Sequence, residues 1–130
     1  MGFPSPATDY IEHRVSLDRI AQLDPNATYY MRAGDAYPSV GILKGSVLVI
    51  DSSLSPTHGC LLVAAIDGEL CLRRYIQRPA PALQCLKKEH GVTKISELEA
   101  VMGDNSPIWG VVAYVLTDTI GRGFKPAPGI

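Results

Sequence analysis

The stretch "LLVAAIDGELCLRRYI", residues 61–76, restricts the fold more than any other part of the chain. It contains two runs of apolar and β-branched residues joined by Asp67-Gly68. An Asp-Gly pair tolerates the positive φ angles of a two-residue type I′ turn. We therefore expect two antiparallel strands that form a tight hairpin.

Other runs of similar composition predict further strands, because each is rich in β-branched and aromatic residues and is bounded by Gly, Pro, Asp or Ser. They are "ATYYMRA" (27–33), "SVLVID" (46–51) and "IWGVVAYVLT" (108–117). The stretch "PAPALQC", residues 79–85, predicts a turn followed by an edge strand, since Pro79 and Pro81 cannot donate ladder hydrogen bonds. The expected fold class is therefore mainly β.

Helical signals are few and short. Ser16 followed by "LDRIAQL" predicts a short helix with Ser16 as its N-cap and Pro25 beyond its end. Asp9 with Glu12 is a competing signal that would start a helix earlier. The polar segment from 87 to 107 predicts a loop that contains one short helix, residues 96–102.

The chain has 130 residues, which favours a single domain. Pro4 and Pro6 predict a flexible, extended N-terminal arm over residues 1–15. We expect one β domain over residues 16–117. Residues 118–130 contain few apolar side chains, so we expect a poorly ordered tail.

Composition excludes several classes of function. Twelve basic and 13 acidic residues give a net charge of -1, so we expect little direct binding to nucleic acid. No apolar run approaches the roughly 20 residues of a membrane-spanning helix, and the N-terminus lacks the pattern of a secretory signal. We therefore expect a cytoplasmic protein without membrane contact. Cys60, Cys71 and Cys85 form no CxxC pair, so we expect reduced thiols, no metal site and no cofactor.

Five motifs, in their order and spacing, resemble the UmuD/LexA family of self-cleaving Ser-Lys peptidases. They are "GFPSPATDYIE", "ATYYMRAGDAY", "GILKGSVLVID", "HGCLLVAAIDGELCLRRY" and "IWGVVAYV". The resemblance runs from Gly2 to about Val115 and is greatest to the UmuD branch of the family. It implies a LexA/UmuD C-terminal-domain-like fold of curved antiparallel sheets with one short helix.

The resemblance also places the catalytic dyad of the family on this chain. The nucleophilic serine of a Gly-Asp-Ser-Met turn falls on Ala36 of "GDAY", and the general-base lysine falls on Arg73 of "CLRRY". Alanine has no hydroxyl, and a guanidinium keeps its proton in proteins. The dyad is therefore not intact, and we expect a pseudo-peptidase. If Ala36 is an engineered substitution, a self-cleaving serine peptidase remains the alternative.

Members of the UmuD branch lose a leader segment by cleavage before a Gly-Phe-Pro sequence. Here Gly2-Phe3-Pro4 directly follows Met1, so the chain resembles the processed form. Extended segments that contain proline bind partners at a modest cost in ordering. We expect a partner-binding arm, formed by Gly2, Phe3, Pro4, Ser5 and Pro6.

The apolar run near the C-terminus predicts an interaction surface. Such a strand is either covered or paired with a second copy of the chain, and the resemblance implies a homodimer. The expected interface residues are Ile108, Trp109, Val111, Val112 and Tyr114.

The resemblance further implies a role in the SOS response to DNA damage. It suggests an accessory subunit of an error-prone translesion polymerase of the polymerase V type, which binds a UmuC-type Y-family polymerase subunit. Contacts with the RecA filament on single-stranded DNA are also implied. Mixed dimers with a full-length UmuD, in which the chain acts as a decoy, are an alternative.

A relocated active site is a further alternative. Ser39, or a serine at 46, 52, 53 or 55, could form a Ser-His-Asp set with His58 and either Asp51 or Asp67. The spacing does not favour this arrangement, and "SSLSPTHG" is typical of a polar turn in which Ser and Thr bond the local backbone.

Overall fold

The structure, a computed structural model, describes residues 16–87, 91–102 and 106–126. Within these ranges, seven strands form one antiparallel sheet in the order β1-β2-β7-β3-β4-β5-β6, accompanied by two short α-helices. The strands are β1 (Thr28–Arg32), β2 (Val47–Asp51), β3 (Leu61–Ile66), β4 (Glu69–Ile76), β5 (Ala82–Cys85), β6 (Val92–Lys94) and β7 (Ile108–Leu116); the helices are α1 (Leu17–Ala21) and α2 (Ile95–Met102). The predicted fold class, mainly β, is confirmed.

The hairpin of β3 and β4 forms as its Asp-Gly pair predicts. Asp67 and Gly68 have φ angles of 52° and 79°, the positive values that a type I′ turn requires. The register runs without a break from Ile66 opposite Glu69 to Leu61 opposite Arg74. The local turn chemistry therefore sets the pairing of the two strands.

The prediction of an edge strand in residues 79–85 is wrong. β5 pairs with β4 on one side and with β6 on the other. The ladder begins at Ala82, after both prolines, so it needs no N–H from Pro79 or Pro81. β6 lies in the segment predicted as loop, and α2 begins at Ile95, where the Ile95 N–H donates to the Pro81 carbonyl at 3.0 Å.

Strand β7 lies inside the sheet, between β2 and β3. Leu48 is opposite Val115 on one side, and Leu62 is opposite Val111 on the other. Both ladders contain a shift in register, so β7 bends as it crosses the sheet. The first half of β7 pairs with β3 and the second half with β2, and Val111 has a partner on both sides. In the part of the chain that the structure describes, β1 and β6 are the outer strands.

The hydrophobic core lies on both faces of the sheet, because side chains of a strand alternate between faces. In β3, Val63 packs into one cluster while Leu62 and Ala64 pack into the other. The first cluster contains Ala33, Ile42, Leu48, Ile50, Val63 and Leu72, and the second contains Leu62, Ala64, Leu83 and Ile95. The centre of the sheet is thus covered on both sides.

Helix α1 is capped as predicted but is poorly buried. The Ser16 Oγ accepts a hydrogen bond from the Arg19 N–H at 3.3 Å, and Gln22 ends the helix with a φ of 53°. Leu17 and Ile20 remain 62% and 64% exposed, so α1 leaves an open apolar groove beside the sheet. The alternative start at Asp9 and the predicted arm lie outside the described residues.

After β7 the chain folds back on itself around one carboxylate. The Asp118 carboxylate accepts hydrogen bonds from the backbone N–H groups of Ile120, Gly121 and Gly123. These bonds, that from Gly123 most of all, hold the pKa of Asp118 below its usual value. The Phe124 ring then lies against Arg32, whose guanidinium carbon is 5.9 Å from the ring centroid. Residues 127–130 of the predicted tail lie outside the described ranges.

Candidate functional site

The turn between β1 and β2 presents the position that the family resemblance assigns to a nucleophile. The Ala36 N–H donates to the Asp35 Oδ1 at 2.8 Å. Tyr37 and Ile42 exchange two backbone hydrogen bonds, which close the loop after Ala36. Inside this loop a short 3₁₀ helix, Pro38–Val40, ends at Gly41. The turn is therefore a defined structure with a half-buried methyl group at position 36.

Lys87 joins this turn to the end of β5. Its ammonium forms an ion pair with the Asp35 carboxylate and lies 5.4 Å from the centroid of the Tyr37 ring. The hydrogen bond lowers the pKa of Asp35 and raises the pKa of Lys87. Ser39 adds a second link, because its hydroxyl donates to the Leu86 carbonyl at 3.2 Å. Sequence reasoning missed Lys87, since no local pattern connects two residues 52 positions apart.

Arg73, at the position assigned to the general base, lies in the middle of β4. It is half-buried, and it is opposite Leu62 in β3 and Cys85 in β5. One guanidinium N–H donates to the Leu72 carbonyl at 2.9 Å. The side chain is therefore a hydrogen-bond donor in a partly buried setting.

The two assigned positions are connected through β5. Arg73 is opposite Cys85, and the next two residues of the chain, Leu86 and Lys87, contact the turn that carries Ala36. The structure thus brings the turn next to the strand that pairs with Arg73.

Residues 1–112 match the peptidase S24-like family. The chain is 38% identical to Protein ImpA of Salmonella typhimurium over 119 residues, which cover 91% of this chain and 78% of that protein. It is 36% identical to Protein MucA of Escherichia coli over 118 residues, 90% of this chain and 78% of the relative. A shorter match, 30% over 77 residues, covers 58% of this chain and 37% of LexA repressor 2 of Geobacter sulfurreducens.

The chain belongs to the peptidase S24-like family. This confirms the resemblance to UmuD and LexA that the sequence motifs indicate. The mainly antiparallel sheet with short helices is consistent with the fold of that family.

In the described part of the peptidase S24-like chain, hydrogen bonds do not assemble the alternative Ser-His-Asp set. His58 accepts the backbone N–H of Gln77 at 3.0 Å through Nδ1. The Asp51 carboxylate accepts hydrogen bonds from the Ser53 hydroxyl at 2.5 Å and from the Ser53 N–H at 2.8 Å. These two bonds lower the pKa of Asp51. Ser39 donates to a backbone carbonyl. These side chains are thus bonded within their own turn or to backbone, as expected for structural roles.

The five predicted interface residues do not form one surface. Trp109, 54% exposed, lines a groove of about 350 Å³ that we name the edge groove. Tyr114, 48% exposed, lines a different groove of about 260 Å³ beside α1, which we name the helix groove. Val111 is buried, Val112 packs against the first core cluster, and Ile108 packs against the second. A single partner surface can therefore use Trp109 or Tyr114, and the dimer itself stays a prediction.

The described residues hold no group of three or more His, Cys, Asp or Glu side chains placed to bind a metal ion. Cys60 and Cys71 carry free thiols. No helix in the described ranges is long and apolar enough to cross a membrane.

Proposed function

We propose that this chain is a non-catalytic, UmuD-like accessory subunit that acts by binding. In this proposal it forms a homodimer in the cytoplasm and binds a UmuC-type Y-family polymerase subunit during translesion synthesis in the SOS response. Contacts with the RecA filament on single-stranded DNA belong to the same proposal. The similarity to ImpA and MucA over nine tenths of the chain supports the UmuD branch.

The observation that carries the proposal is the pair Ala36 and Arg73. A Ser-Lys dyad needs a hydroxyl that attacks and a neutral amine that takes its proton. A methyl group has no lone pair to attack with. A guanidinium stays protonated and has no lone pair with which to accept a proton. Each replacement alone removes one half of the reaction.

The intact architecture around the turn supports binding as the remaining activity. The loop at Ala36 is closed and linked to β5, and the sheet has a core on both faces. Exposed large apolar side chains concentrate in two grooves, a distribution typical of interaction surfaces. We propose the helix groove as the homodimer contact, because Leu17, Ile20 and Tyr114 are exposed together there.

Co-purification tests the proposal. The chain and a UmuC-type subunit from the same genome are expressed together, one of them tagged, and purified at low and moderate salt. We expect a stable complex. Failure to co-purify at either salt concentration contradicts the polymerase proposal.

Light scattering during size exclusion tests the dimer. We expect a dimer that Tyr114→Ser weakens and that the matched variant Leu43→Ser leaves intact, because Leu43 is exposed but lies away from the helix groove. A monomer at all concentrations contradicts the homodimer.

A further inference from the structure

The edge groove begins at β1, the outer strand of the sheet. Its lining includes four consecutive residues of β1, together with Ile50, Val63, Leu70 and Trp109. The other lining residues come one each from β2, β3, β4 and β7, so the groove runs from the outer strand across the sheet toward the β3–β4 hairpin. The β1 residues in the lining are Thr28, Tyr29, Tyr30 and Met31.

The backbone on this edge is open to a new strand. Ala27 and Ala33 flank β1, and both form hydrogen bonds with residues that flank β2. The Ala27 carbonyl accepts from the Ser52 N–H, and the Ala33 N–H donates to the Ser46 carbonyl. In an antiparallel strand every second residue bonds the same neighbour. Thr28, Tyr30 and Arg32 therefore direct their N–H and C=O groups outward, and within the described ranges no strand pairs with that side. An edge of this kind binds extended peptides by strand addition.

The groove also provides apolar anchors. Tyr29, Leu70 and Trp109 are 50%, 39% and 54% exposed, although all three are large and apolar or aromatic. Single exposed apolar residues are ordinary, but a group around one cleft indicates a binding surface. Aromatic side chains are the usual anchors of protein interfaces.

The charge close to the groove is mainly negative. The segments that carry its lining residues, 24–31, 50–54, 63–70 and 106–110, contain four acidic residues and no Lys or Arg. Arg32, the last residue of β1, has its guanidinium against the Phe124 ring and lines another cleft. The ion pair found among the described residues, Asp35–Lys87, involves none of these four acidic residues. The acidic residues are Asp24, Asp51, Asp67 and Glu69. A partner segment that carries positive charge is therefore favoured, since complementary charge guides association.

We propose that the edge groove binds an extended segment of a partner protein in which large apolar side chains alternate with Lys or Arg. The segment adds to β1 as a further strand. Its apolar side chains enter the groove beside Trp109, and its basic side chains lie near the carboxylates of the hairpin turn. The inference goes beyond the proposed accessory function, because it assigns a surface and a segment chemistry without assuming which protein supplies the segment.

Intrinsic fluorescence reports binding directly, since Trp109 is the one tryptophan of the chain. The full chain is titrated with a synthetic peptide of about ten residues that alternates Lys with Phe, Leu and Val and contains no Trp. We expect saturable binding, a blue shift of the Trp109 emission, and an affinity that falls as salt rises. A matched peptide with Glu in place of Lys should bind at least about tenfold more weakly, because its charges are repelled.

Substitutions that remove charge but keep the shape of the side chain test whether the carboxylates near the groove contribute to peptide affinity. The double variant Asp67→Asn with Glu69→Gln removes two exposed charges and keeps the shape, and we expect an affinity about three- to tenfold lower for the Lys peptide. Leu43→Ser is the matched control, because Leu43 is 56% exposed but lines another cleft. It should leave the affinity unchanged.

Backbone methylation tests the strand addition. Two versions of the Lys peptide carry N-methyl groups on alternate residues, one on the even and one on the odd positions. Only one set of N–H groups can face β1 in a given register, so one version should lose binding and the other should keep it. Equal binding by both versions, equal binding by the Lys and Glu peptides, or no effect of the charge variant would overturn the proposal.

Occupation of the groove by the chain itself would also overturn it. In that case the Trp109 emission shifts, without any peptide, on removal of residues 1–15 or on dilution of a dimer to monomers. We expect neither change.

Discussion

The position of Gly110 in β7 gives the sharpest test of the sheet that carries both grooves. A Cβ atom added at Gly110 would lie 2.6 Å from the Ile50 Cγ2 and 3.2 Å from the Asp51 carbonyl oxygen. Ile50 is only 3% exposed and packs in the first core cluster, and Asp51 O belongs to the backbone of β2. Neither neighbour can move into solvent, so Gly110→Ala forces the two strands apart.

The size of the effect follows from two opposing terms. Overpacking a core costs about 1–3 kcal/mol, whereas replacing Gly by Ala in a strand gains about 0.5–1 kcal/mol in chain entropy. The mid-values of the two terms leave a net loss of about 1 kcal/mol, within a range of about 0–2.5 kcal/mol. For a domain of this size each kcal/mol lowers the melting temperature by about 3–6 °C, so we expect a fall of about 3–6 °C and at most about 15 °C.

Urea denaturation followed by circular dichroism measures the change, with Gly34→Ala as the matched control. An added Cβ at Gly34 has nothing within 4 Å, and its φ is not in the left-handed region. Both variants change the unfolded chain in the same way, so the difference between them isolates the contact with Ile50. Adding Ile50→Leu to Gly110→Ala removes the Cγ2 methyl and should restore part of the stability. Equal stability of the two Gly→Ala variants would refute the reasoning.

Two further predictions concern the turn and the assigned dyad. Lys87→Met should raise the pKa of Asp35 toward its ordinary value, because the hydrogen bond from Lys87 is the largest cause of the lowered pKa. An NMR titration of Asp35 measures the change. The control variant Lys44→Met removes only a distant charge, so it should raise the pKa of Asp35 less. No rise in Lys87→Met would contradict the ion pair. The second test fuses the leader segment of a relative to this chain and combines Ala36→Ser with Arg73→Lys. We expect this double variant to cleave itself. The rate of cleavage should increase with pH, since the lysine must be neutral to accept a proton. Ala36→Ser alone should stay uncut, and its cleavage on a gel would show that Arg73 does not block the reaction.

The local elements of the fold could be predicted because their signals are local. The Asp67-Gly68 turn and the Ser16 cap depend on residues next to them, and both form as expected. β6 could not be predicted, because a three-residue strand is too short to show an alternating pattern. It forms since its backbone pairs with β5, a contact that only the folded chain supplies.

The order of the strands explains the remaining differences. The apolar run of β7 is equally compatible with a covered inner strand and an exposed edge, and only the sheet order shows that it is an inner strand. Trp109 and Tyr114, which sequence reasoning placed in one interface, line different grooves although both belong to β7. Lys87 and Asp35 meet because β5 ends beside the turn, and no spacing in the sequence indicates their contact.

We propose that this peptidase S24-like chain works by binding, without cutting itself. The most direct test is the intact mass of the chain inside its complex with a UmuC-type polymerase subunit, measured after size exclusion. We expect co-elution of the full, uncut chain with the polymerase subunit. A shortened chain, or a full-length chain that elutes apart from the polymerase, would contradict it.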